Sequence, residues 1–524
     1  MIKIEKDAKK RQKAQEKPPI TPKTFASYAM YRHTSGQMEF ENFVLPFSGK
    51  LRSDNRWVKM AKFIPWEEFE SVYCESLSGS HMGQPALPAR VAIGALIIKE
   101  RLGASDEETV EQIRENPYLQ YFLGFKKYKD EPPFDPSMFV HFRKRIGKDK
   151  MAMINEAVVK KAMSESRKPA KKKRSGKKDD DLDPPGSKNK GKLLVDATCA
   201  PSDITYPTDL KLLNHAREKR EEIIDVLHEP LKGKQKKPRT YRKRARKEFL
   251  SAAKSKRLSA NKRRKAIRKQ LGYLRRNLNT IGKLSRKTSL TALSRRQYKD
   301  LLVIHELFRQ QQWMFDHRAK RIDDRIVSIS QLHVRPIKRG KAVVSTEFGA
   351  KLSAALVEGF VFLDRIGWDN FNESGDLKDQ IKAYRSRFGF YPESVHSDRI
   401  YRTRKNLRFC KKHRIRLSGP RLGRPPKNID PKMKRQARQD ELDRIPIEGK
   451  FGQGKRRFSL SKIMSKLPGT SETAISMSFL VMNIAKWLKT ALFCLFFHCK
   501  NGLEYALSIP NSGSKRMATL YVTI

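Results

Sequence analysis

Acidic side chains and paired cysteines are both scarce in this sequence of 524 residues. Its five cysteines are scattered, with neither a C-x-x-C pair nor a Cys/His ligand spacing. The sequence therefore indicates no zinc module and no disulfide framework, and it fits a reducing cytoplasm. Only 56 Asp and Glu oppose 113 Lys and Arg, which leaves a formal net charge of +57. Such an excess of positive charge favours a polyanion as the partner.

Uninterrupted apolar runs of membrane-spanning length are missing too. No apolar run follows the basic stretch MIKIEKDAKKRQKAQEKPP, so residues 1–35 are predicted to form a disordered, solvated tail. Further on, TAISMSFLVMNIAKWLKTALFCLFF approaches the required length, but Asn483, Lys486 and Lys489 interrupt it. We therefore expect a buried amphipathic helix there and no membrane partner. Nucleic acid is the expected polyanion, with the protein in the cytoplasm and associated with the nucleoid.

Helical signals dominate the first third of the chain. Pro88 precedes the periodic run ARVAIGALIIKERLG, and Ser105 with Glu108 forms a capping box that opens DEETVEQIRENPYLQYFLG. A third helix is predicted from Asp135, with Pro136 at its first helical position, through SMFVHFRKRIG. These signals predict an N-terminal helical domain.

The last of these helices is basic and carries Arg143, Lys144 and Arg145. Two interpretations fit it. Residues 36–165 either form a helix-turn-helix-like domain that contacts DNA through these three side chains, or form a packing domain with ordinary surface arginines. From 166 to 192 the chain has almost no apolar residue and mixes charge blocks with Pro and Gly. A disordered linker is predicted there.

A strongly basic helical insertion is predicted at about residues 206–325. Between 232 and 287 the sequence contains 24 Lys and Arg against a single acid, Glu248. Like charges at helical spacing repel one another, and phosphate groups would relieve that repulsion. A solvated surface helix is the usual explanation of a charge run, but the length and one-sidedness of this one favour contact with nucleic acid. The candidate contacts are Arg263, Arg264, Arg275 and Arg276.

The insertion interrupts a pattern of strands and helices over residues 193–490. LLVDATCA and RIVSIS are predicted strands, and a hairpin is predicted around Glu358 and Gly359. A helix GDLKDQIKAYRSRFG, a strand ESVHSDRIY, a helix NLRFCKKHR, a strand IRLSG and a final helix follow. This order predicts an α/β fold in which helices flank a mixed sheet, with a C-terminal tail at 491–524.

Acidic residues stand at two of the predicted strands. Asp196 and Asp398 are 202 residues apart (398 − 196), and Glu448 follows 50 residues later (448 − 398). If the fold brings them together, their hard oxygen ligands could hold two Mg²⁺ or Mn²⁺ ions around a phosphate. Spacing alone does not select these three from the 56 acids. Open competitors are Asp203, Asp364, Asp369, Glu373 and Asp376.

The stretch RIPIEGKFGQGKRRF, which begins at Arg444, has two incompatible interpretations. It contains G-x-x-x-x-G-K, as in a phosphate-binding P-loop, but Arg456 occupies the Ser/Thr position and RIPIE is not a buried apolar strand. The other interpretation gives the chemistry to Glu448 and Lys455, which lie within about 20° of each other on a helix. Pro446 is expected in the first turn of that helix, with Arg444 before it.

These residues carry a resemblance to a known family. LLVDATCAPSDI, VHSDRIYRTRKNLRFC and RIPIEGKFGQGKRRF resemble the three acidic motifs of the DDE transposases of bacterial insertion sequences. One group of that family has the signature Y-x2-R-x3-E-x6-K. Arg444, Glu448 and Lys455 match its last three positions, while Glu441 stands at the tyrosine position. FDPSMFVHFRKRIG and the helices before it resemble the family's N-terminal domain, so the resemblance spans residues 43–488.

The resemblance implies an RNase H-like catalytic domain that cleaves transposon ends and transfers the strands to target DNA. Asp196, Asp398 and Glu448 would then be the catalytic metal ligands for two Mg²⁺ or Mn²⁺ ions, and Arg444 and Lys455 would hold phosphates. The partners would be double-stranded DNA, as terminal inverted repeats and target, and a second copy of the chain. A catalytically inactive or non-enzymatic nucleic-acid-binding protein is the alternative, because basic composition gives affinity without catalysis.

Overall fold

The computed structural model describes residues 39–45, 49–75, 77, 85–166, 189–255, 257–338, 346–420, 422–423 and 430–507, with the backbone alone for 492–507. The predicted N-terminal tail lies outside the described residues. So do most of the predicted linker at 166–192 and the last part of the predicted C-terminal tail. The predicted strands and helices of the sheet region lie almost entirely within them.

Six helices form the N-terminal part of the described chain. They are α1 (Arg56–Phe63), α2 (Trp66–Cys74), α3 (Ala89–Leu102), α4 (Asp106–Glu115), α5 (Pro117–Phe122) and α6 (Met138–Ser166). The Ser105 side chain accepts a hydrogen bond from the Glu108 amide, as the predicted cap requires. The helix predicted from there is divided in two, because Asn116 ends α4 in an extended conformation and caps α5, where Pro117 stands first.

Helix α6 is longer than the predicted third helix. It continues past Gly147, where the prediction ended, but Gly147 has φ 65° and ψ 174°, so the axis bends there. A positive φ costs glycine little, which allows this break without ending the packed element. The second half of α6 buries Met151, Ile154 and Val158.

A mixed six-stranded sheet follows. Its strands are β1 (Lys192–Pro201), β2 (Arg335–Lys338), β3 (Thr346–Val357), β4 (Phe360–Gly367), β5 (Ser394–His396) and β6 (Arg416–Leu417). The order is β2-β3-β1-β5-β6, with β4 also pairing with β3. β3 is antiparallel to β1, β2 and β4, whereas β5 is parallel to both β1 and β6. Glu358 and Gly359 form the β3–β4 turn at φ 49° and 79°. The α/β class and the hairpin predicted from the sequence are confirmed.

The predicted strand RIVSIS is wrong. Residues 325–330 form no strand, and β2 begins five residues later. The amide of Ile326 donates to the side-chain oxygen of Gln310, so this backbone is bonded to a helix rather than to a sheet. Ile326 and Ile329 fill the core of the preceding helices, which explains the apolar pattern that resembled a strand.

In the described part of the chain between β1 and β2 lie four α-helices. They are α7 (Asp209–His228), α8 (Arg242–Ala253), α9 (Ala260–Leu284) and α10 (Arg295–Asp316). Leucine and isoleucine side chains of α7, α9 and α10 build two apolar clusters separate from the main core. The basic side chains of α8 and α9 are mostly exposed around these clusters.

The last four helices pack on the sheet. They are α11 (Leu377–Phe388), α12 (Arg404–Lys412), α13 (Pro431–Arg457) and α14 (Pro468–Leu507). The main hydrophobic core contains residues of α1 to α6, of the sheet and of α14, so the N-terminal helices and the sheet share one core. Asn483 of α14 bonds the amide and carbonyl of Val361 in β4 and the side chain of Asn155 in α6. In the described part of the chain, no helix has the length and apolar character needed to cross a bilayer.

Candidate active site

Three separate elements deliver the three predicted carboxylates to one pocket. Asp196 lies in β1, Asp398 lies two residues after β5, and Glu448 lies in α13. They line a pocket of about 840 Å³ together with Arg444 and Lys455. Because β1 and β5 are parallel neighbours, Asp196 and Asp398 lie towards the same end of the two strands. Five side chains that are far apart in sequence thus face one space.

Asp196 is partly buried beside other carboxylates. One of its oxygens accepts a hydrogen bond of 2.8 Å from the amide of Ala197. Burial raises the pKa of Asp196 to about 6, although this amide and Arg444 favour the charged form, and the charges of Glu373 and Glu448 raise it further. Burial and the neighbouring carboxylates therefore disfavour the negative charge of Asp196. A cation in the pocket would stabilise that charge.

Asp398 is exposed, and the orientation of its side chain is fixed by a hydrogen bond. It caps the short 3₁₀ turn Arg399–Tyr401, and its side chain accepts a hydrogen bond of 2.6 Å from the Arg399 amide. The Tyr401 amide donates to the Asp398 carbonyl, which closes the turn. The turn leaves the second oxygen of the Asp398 side chain available to the pocket.

Helix α13 is longer than the sequence predicted. It starts at Pro431 and contains Pro446 in its interior, so Arg444 lies within the helix and not before it. Proline removes one amide donor and leaves the Leu442 carbonyl without its usual partner. Both Leu442 and Ile445 are exposed, at 52% and 54%, so water can satisfy that carbonyl. Arg444 consequently pairs with Glu448 one turn on, at 2.8 Å.

The glycines of α13 do not form a nucleotide-binding loop, and one of them, Gly454, is required by packing. Gly449 to Lys455 are all helical, which excludes the strand-loop-helix geometry of a P-loop. A Cβ on Gly454 would lie 2.6 Å from Leu460 and 3.3 Å from the sulfur of Met482 in α14. The close approach of α13 to α14 therefore requires glycine at this position.

A second group of side chains ties α13 to the sheet. His396, Asp440 and Asp443 have ligand atoms within 4.8 Å of one another, a spacing at which a metal ion could be held. However, Asp440 accepts two hydrogen bonds from Arg416 and Asp443 accepts one from Lys192. These cations already neutralise the carboxylates, so we interpret the group as a clasp between α13 and strands β1, β5 and β6.

Lys351 and Glu373 also line the pocket, and sequence reasoning did not select them. Glu373 was one of five competing acids. The sequence does contain one indication of Lys351, because a lysine within the apolar strand β3 needs a polar or charged partner. The other four competitors do not line the pocket, and three of them pair elsewhere: Asp203 with Lys462, Asp364 with Arg387, and Asp376 with Arg365.

The predicted DNA contacts of α6 differ in exposure. Arg143 is only 6% exposed, and its guanidinium bonds the carboxylate of Asp106. We therefore remove Arg143 from the proposed DNA contacts, because contact would require breaking a largely buried ion pair. Lys144 is exposed, and Arg145 is partly exposed with a 3.4 Å bond to the Tyr73 hydroxyl.

The four predicted arginines of the insertion lie on α9. Arg263, Arg275 and Arg276 are exposed, and Arg264 is partly exposed. Arg264 stacks 4.1 Å from the Phe315 ring centre, and Arg276 lies 4.8 Å from that of Tyr273. Packing against aromatic rings restricts these side chains while leaving their charge at the surface.

Family comparisons agree with the two regions just described. Residues 46–145, which span α1 to α5 and the first turns of α6, match the model described as "Transposase domain (DUF772)". Residues 395–485, which run from β5 into α14 and include Asp398, Arg444, Glu448 and Lys455, match the model described as "Transposase DDE domain". Together the two matches support a DDE-type transposase of insertion sequences. Asp196 lies outside both matched segments of this transposase.

One curated relative is described as "Uncharacterized protein ORF8 in nfe locus", from Rhizobium meliloti. It is 32% identical to the transposase over 157 residues, which are 30% of this chain. The chain covers 66% of the length of that relative. No solved structure matches the transposase.

Divalent cations fit the donor set of the pocket. Its acids offer hard oxygen ligands, which Mg²⁺ and Mn²⁺ prefer. The raised pKa of Asp196, caused first by burial, indicates negative charge that lacks full compensation. Among the described residues, the buried hydroxyl of Tyr401 close to these acids makes no hydrogen bond of normal geometry. The acids that line the pocket are thus groups whose charge a hydrated cation would neutralise.

Proposed function

We propose that this chain catalyses divalent-metal-dependent cleavage of DNA at insertion-sequence ends and joins the freed strands to target DNA. The observation that carries this proposal is the convergence of Asp196, Asp398 and Glu448 on one pocket with Arg444 and Lys455. In the first step, water attacks the phosphorus at the transposon end and the bond to the 3′-oxygen breaks. The released 3′-hydroxyl then attacks a target phosphodiester and displaces its 3′-oxygen.

The residues of the chain have distinct parts in this scheme. Asp196, Asp398 and Glu448 bind the cations, which supply Lewis-acid activation and charge neutralisation at the phosphate. Arg444 orients Glu448 through their 2.8 Å ion pair and presents its remaining N–H donors to a phosphate. Lys455, seven residues after Glu448, provides a point charge on the same side of α13.

The DNA is proposed to extend from the pocket over the basic insertion. Arg263, Arg264, Arg275 and Arg276 on α9, with Lys144 and Arg145 on α6, are its proposed phosphate contacts. Residues 36–165 are proposed as a DNA-binding unit, and residues 193–490 as the catalytic unit with the insertion at about 206–325. Two copies of the chain on DNA, in the cytoplasm and associated with the nucleoid, complete the proposal.

A DNA cleavage assay with the purified protein tests the proposed function. The substrate is DNA that carries the inverted repeats flanking the coding region, with Mg²⁺ or Mn²⁺. Asp196→Ala, Asp398→Ala and Glu448→Ala should each lower cleavage more than about a hundredfold, since even the partners of metal ligands are worth about 10- to 100-fold. Asp369→Ala, an exposed acid that does not line the pocket, should cleave like the parent.

Measuring DNA binding by the same variants distinguishes the proposed enzyme from a protein that only binds nucleic acid. Binding should survive in all three alanine variants, because their carboxylates contribute no attraction to phosphates. A parent protein that binds the repeats tightly but never cuts them, with either metal, would instead support an inactive or non-enzymatic nucleic-acid-binding protein.

A further inference from the structure

A fourth acid stands in the candidate pocket. Glu373 lies in the 3₁₀ turn Glu373–Gly375, between β4 and α11, and its side chain is only 18% exposed. It lines the pocket with Asp196, and of the carboxylates whose charge raises the pKa of Asp196 it has the largest effect. Glu373 and Asp196 are therefore neighbours in the pocket although they lie far apart in the sequence.

A lysine on the adjacent strand holds this acid. The ammonium nitrogen of Lys351 lies 2.7 Å from an oxygen of Glu373 and donates to the carbonyl of Phe371 at 2.8 Å. Lys351 is 14% exposed, so the pair is largely withdrawn from water. A single lysine can neutralise Glu373, whereas Arg444, the cation that favours the charged form of Asp196, is already paired with Glu448.

The turn that carries Glu373 is joined to the turn that carries Asp398. The side-chain amide of Asn406, which is 3% exposed, donates to the carbonyls of Ser374 and Tyr401 at 2.8 Å each. Ser374 follows Glu373 directly, and Tyr401 ends the turn that Asp398 caps. Asn406 therefore fixes the two acids relative to each other.

A buried hydroxyl points to a ligand at the same place. Tyr401 is fully buried, and its hydroxyl lies near the Ser353 side chain but makes no hydrogen bond of normal geometry within the described residues. Burial, followed by the charges of Glu373 and then Asp196, raises the pKa of this tyrosine. Its O–H is therefore a stable donor beside both carboxylates, and a buried donor without an acceptor is costly.

From this arrangement we propose that Glu373 is a fourth carboxylate ligand of the divalent-cation site, and that Lys351 is its counter-ion when no cation is bound. This inference rests on the proposed function, because it assumes that Asp196 binds a cation. Cation binding would replace Lys351 as the partner of Glu373. The Lys351 ammonium would then be available to a phosphate in the pocket.

Binding of Mn²⁺ alone, in the absence of DNA, tests the proposal by calorimetry or by the electron paramagnetic resonance of free Mn²⁺. Glu373→Gln should weaken Mn²⁺ binding about tenfold or more, since it removes one charged oxygen ligand. Lys351→Met should strengthen binding, because Glu373 then has no competing cation. Asp379→Asn is the matched control: this acid of α11 is 81% exposed and paired with Lys382.

The outcomes distinguish the two proposals. If Asp196→Asn loses Mn²⁺ while Glu373→Gln binds it like the parent, the cation site stands and Glu373 is only the ion-pair partner of Lys351. If the parent and Asp196→Asn bind Mn²⁺ equally, the proposed function and the role of Glu373 fail together. Should Glu373→Gln not fold, Lys351→Met decides alone: unchanged Mn²⁺ affinity overturns the proposal, and tighter binding supports it.

Discussion

Glu100 shows how one buried carboxyl makes stability depend on pH. It lies in α3, is 7% exposed, and accepts a 2.7 Å hydrogen bond from the Ser478 hydroxyl of α14. Burial raises the pKa of Glu100 to about 7, against the lowering effects of Ser478 and Lys99. The side chain is therefore about half protonated at neutral pH in the folded protein, and ionised in the unfolded chain.

Glu100→Gln should stabilise the protein above neutral pH. The folded pKa is raised, so the stability that Glu100 contributes is fully present below its unfolded pKa and is lost as pH rises through about 7. Urea unfolding should show the variant more stable at pH 8 by up to about 3 kcal/mol. At pH 4.5 the two proteins should be nearly equal. Glu111→Gln, on the exposed side of α4, should show no such difference, and equal stabilities at pH 8 would contradict the assignment.

At the scale of elements, α13 depends on its clasp to the sheet. Asp440 is 7% exposed and accepts two hydrogen bonds from Arg416 of β6 and one from Gln436. Asp443 bonds Lys192 at the start of β1. The clasp lies just before Arg444 and Glu448, so it sets where these side chains enter the pocket.

Asp440→Asn should destabilise the protein by about 1 to 3 kcal/mol, because it removes the charge that Arg416 pairs with and leaves a largely buried group poorly satisfied. Chemical denaturation measures this change. Glu306→Gln is the control, since its ion pair with Arg309 is exposed and such pairs contribute about 1 kcal/mol or less. Equal losses in the two variants would show that the clasp is no stronger than a surface ion pair.

Elements with local sequence signals were predictable, and those defined by distant contacts were not. The hairpin at Glu358 and Gly359 and the cap at Ser105 were read from neighbouring residues. RIVSIS was misassigned because its apolar residues fill a helical core that only tertiary structure reveals. For α13, Pro446 suggested a start, yet the helix runs through it at an exposed stretch around Leu442 and Ile445. Glu373 could not be chosen from spacing, since it lies in a 3₁₀ turn and its partner Lys351 lies on strand β3.

At the scale of the whole molecule, positive charge is concentrated away from the main core. The surfaces of α8 and α9 carry most of the cations counted between residues 232 and 287, where Glu248 is the only acid. Long, one-sided charge of this kind binds phosphates and releases counter-ions from DNA. DNA affinity should therefore depend strongly on salt.

Replacing Arg263, Arg264, Arg275 and Arg276 together with glutamine should weaken DNA binding and flatten its salt dependence. Each lost phosphate contact reduces the slope of log K against log salt by about 0.9, so four contacts correspond to about 3 to 4. Fluorescence anisotropy over a range of salt concentrations measures the slope. Arg309→Gln should leave it nearly unchanged, because Glu306 already neutralises that cation. A parent-like slope in the fourfold variant would remove α9 from the DNA path.

The shared core has a consequence for the order in which the chain can fold during synthesis. Helix α14 contributes Phe479, Leu480 and Val481 to a core that also contains the N-terminal helices and β1, which are made much earlier. Ribosomes add about 5 to 20 residues per second, so β1 emerges tens of seconds before α14 exists. Throughout that interval the sheet lacks the packing of α14, and for most of it the pocket lacks α13 as well. The three carboxylates of the pocket can therefore meet only after α13 has been synthesised.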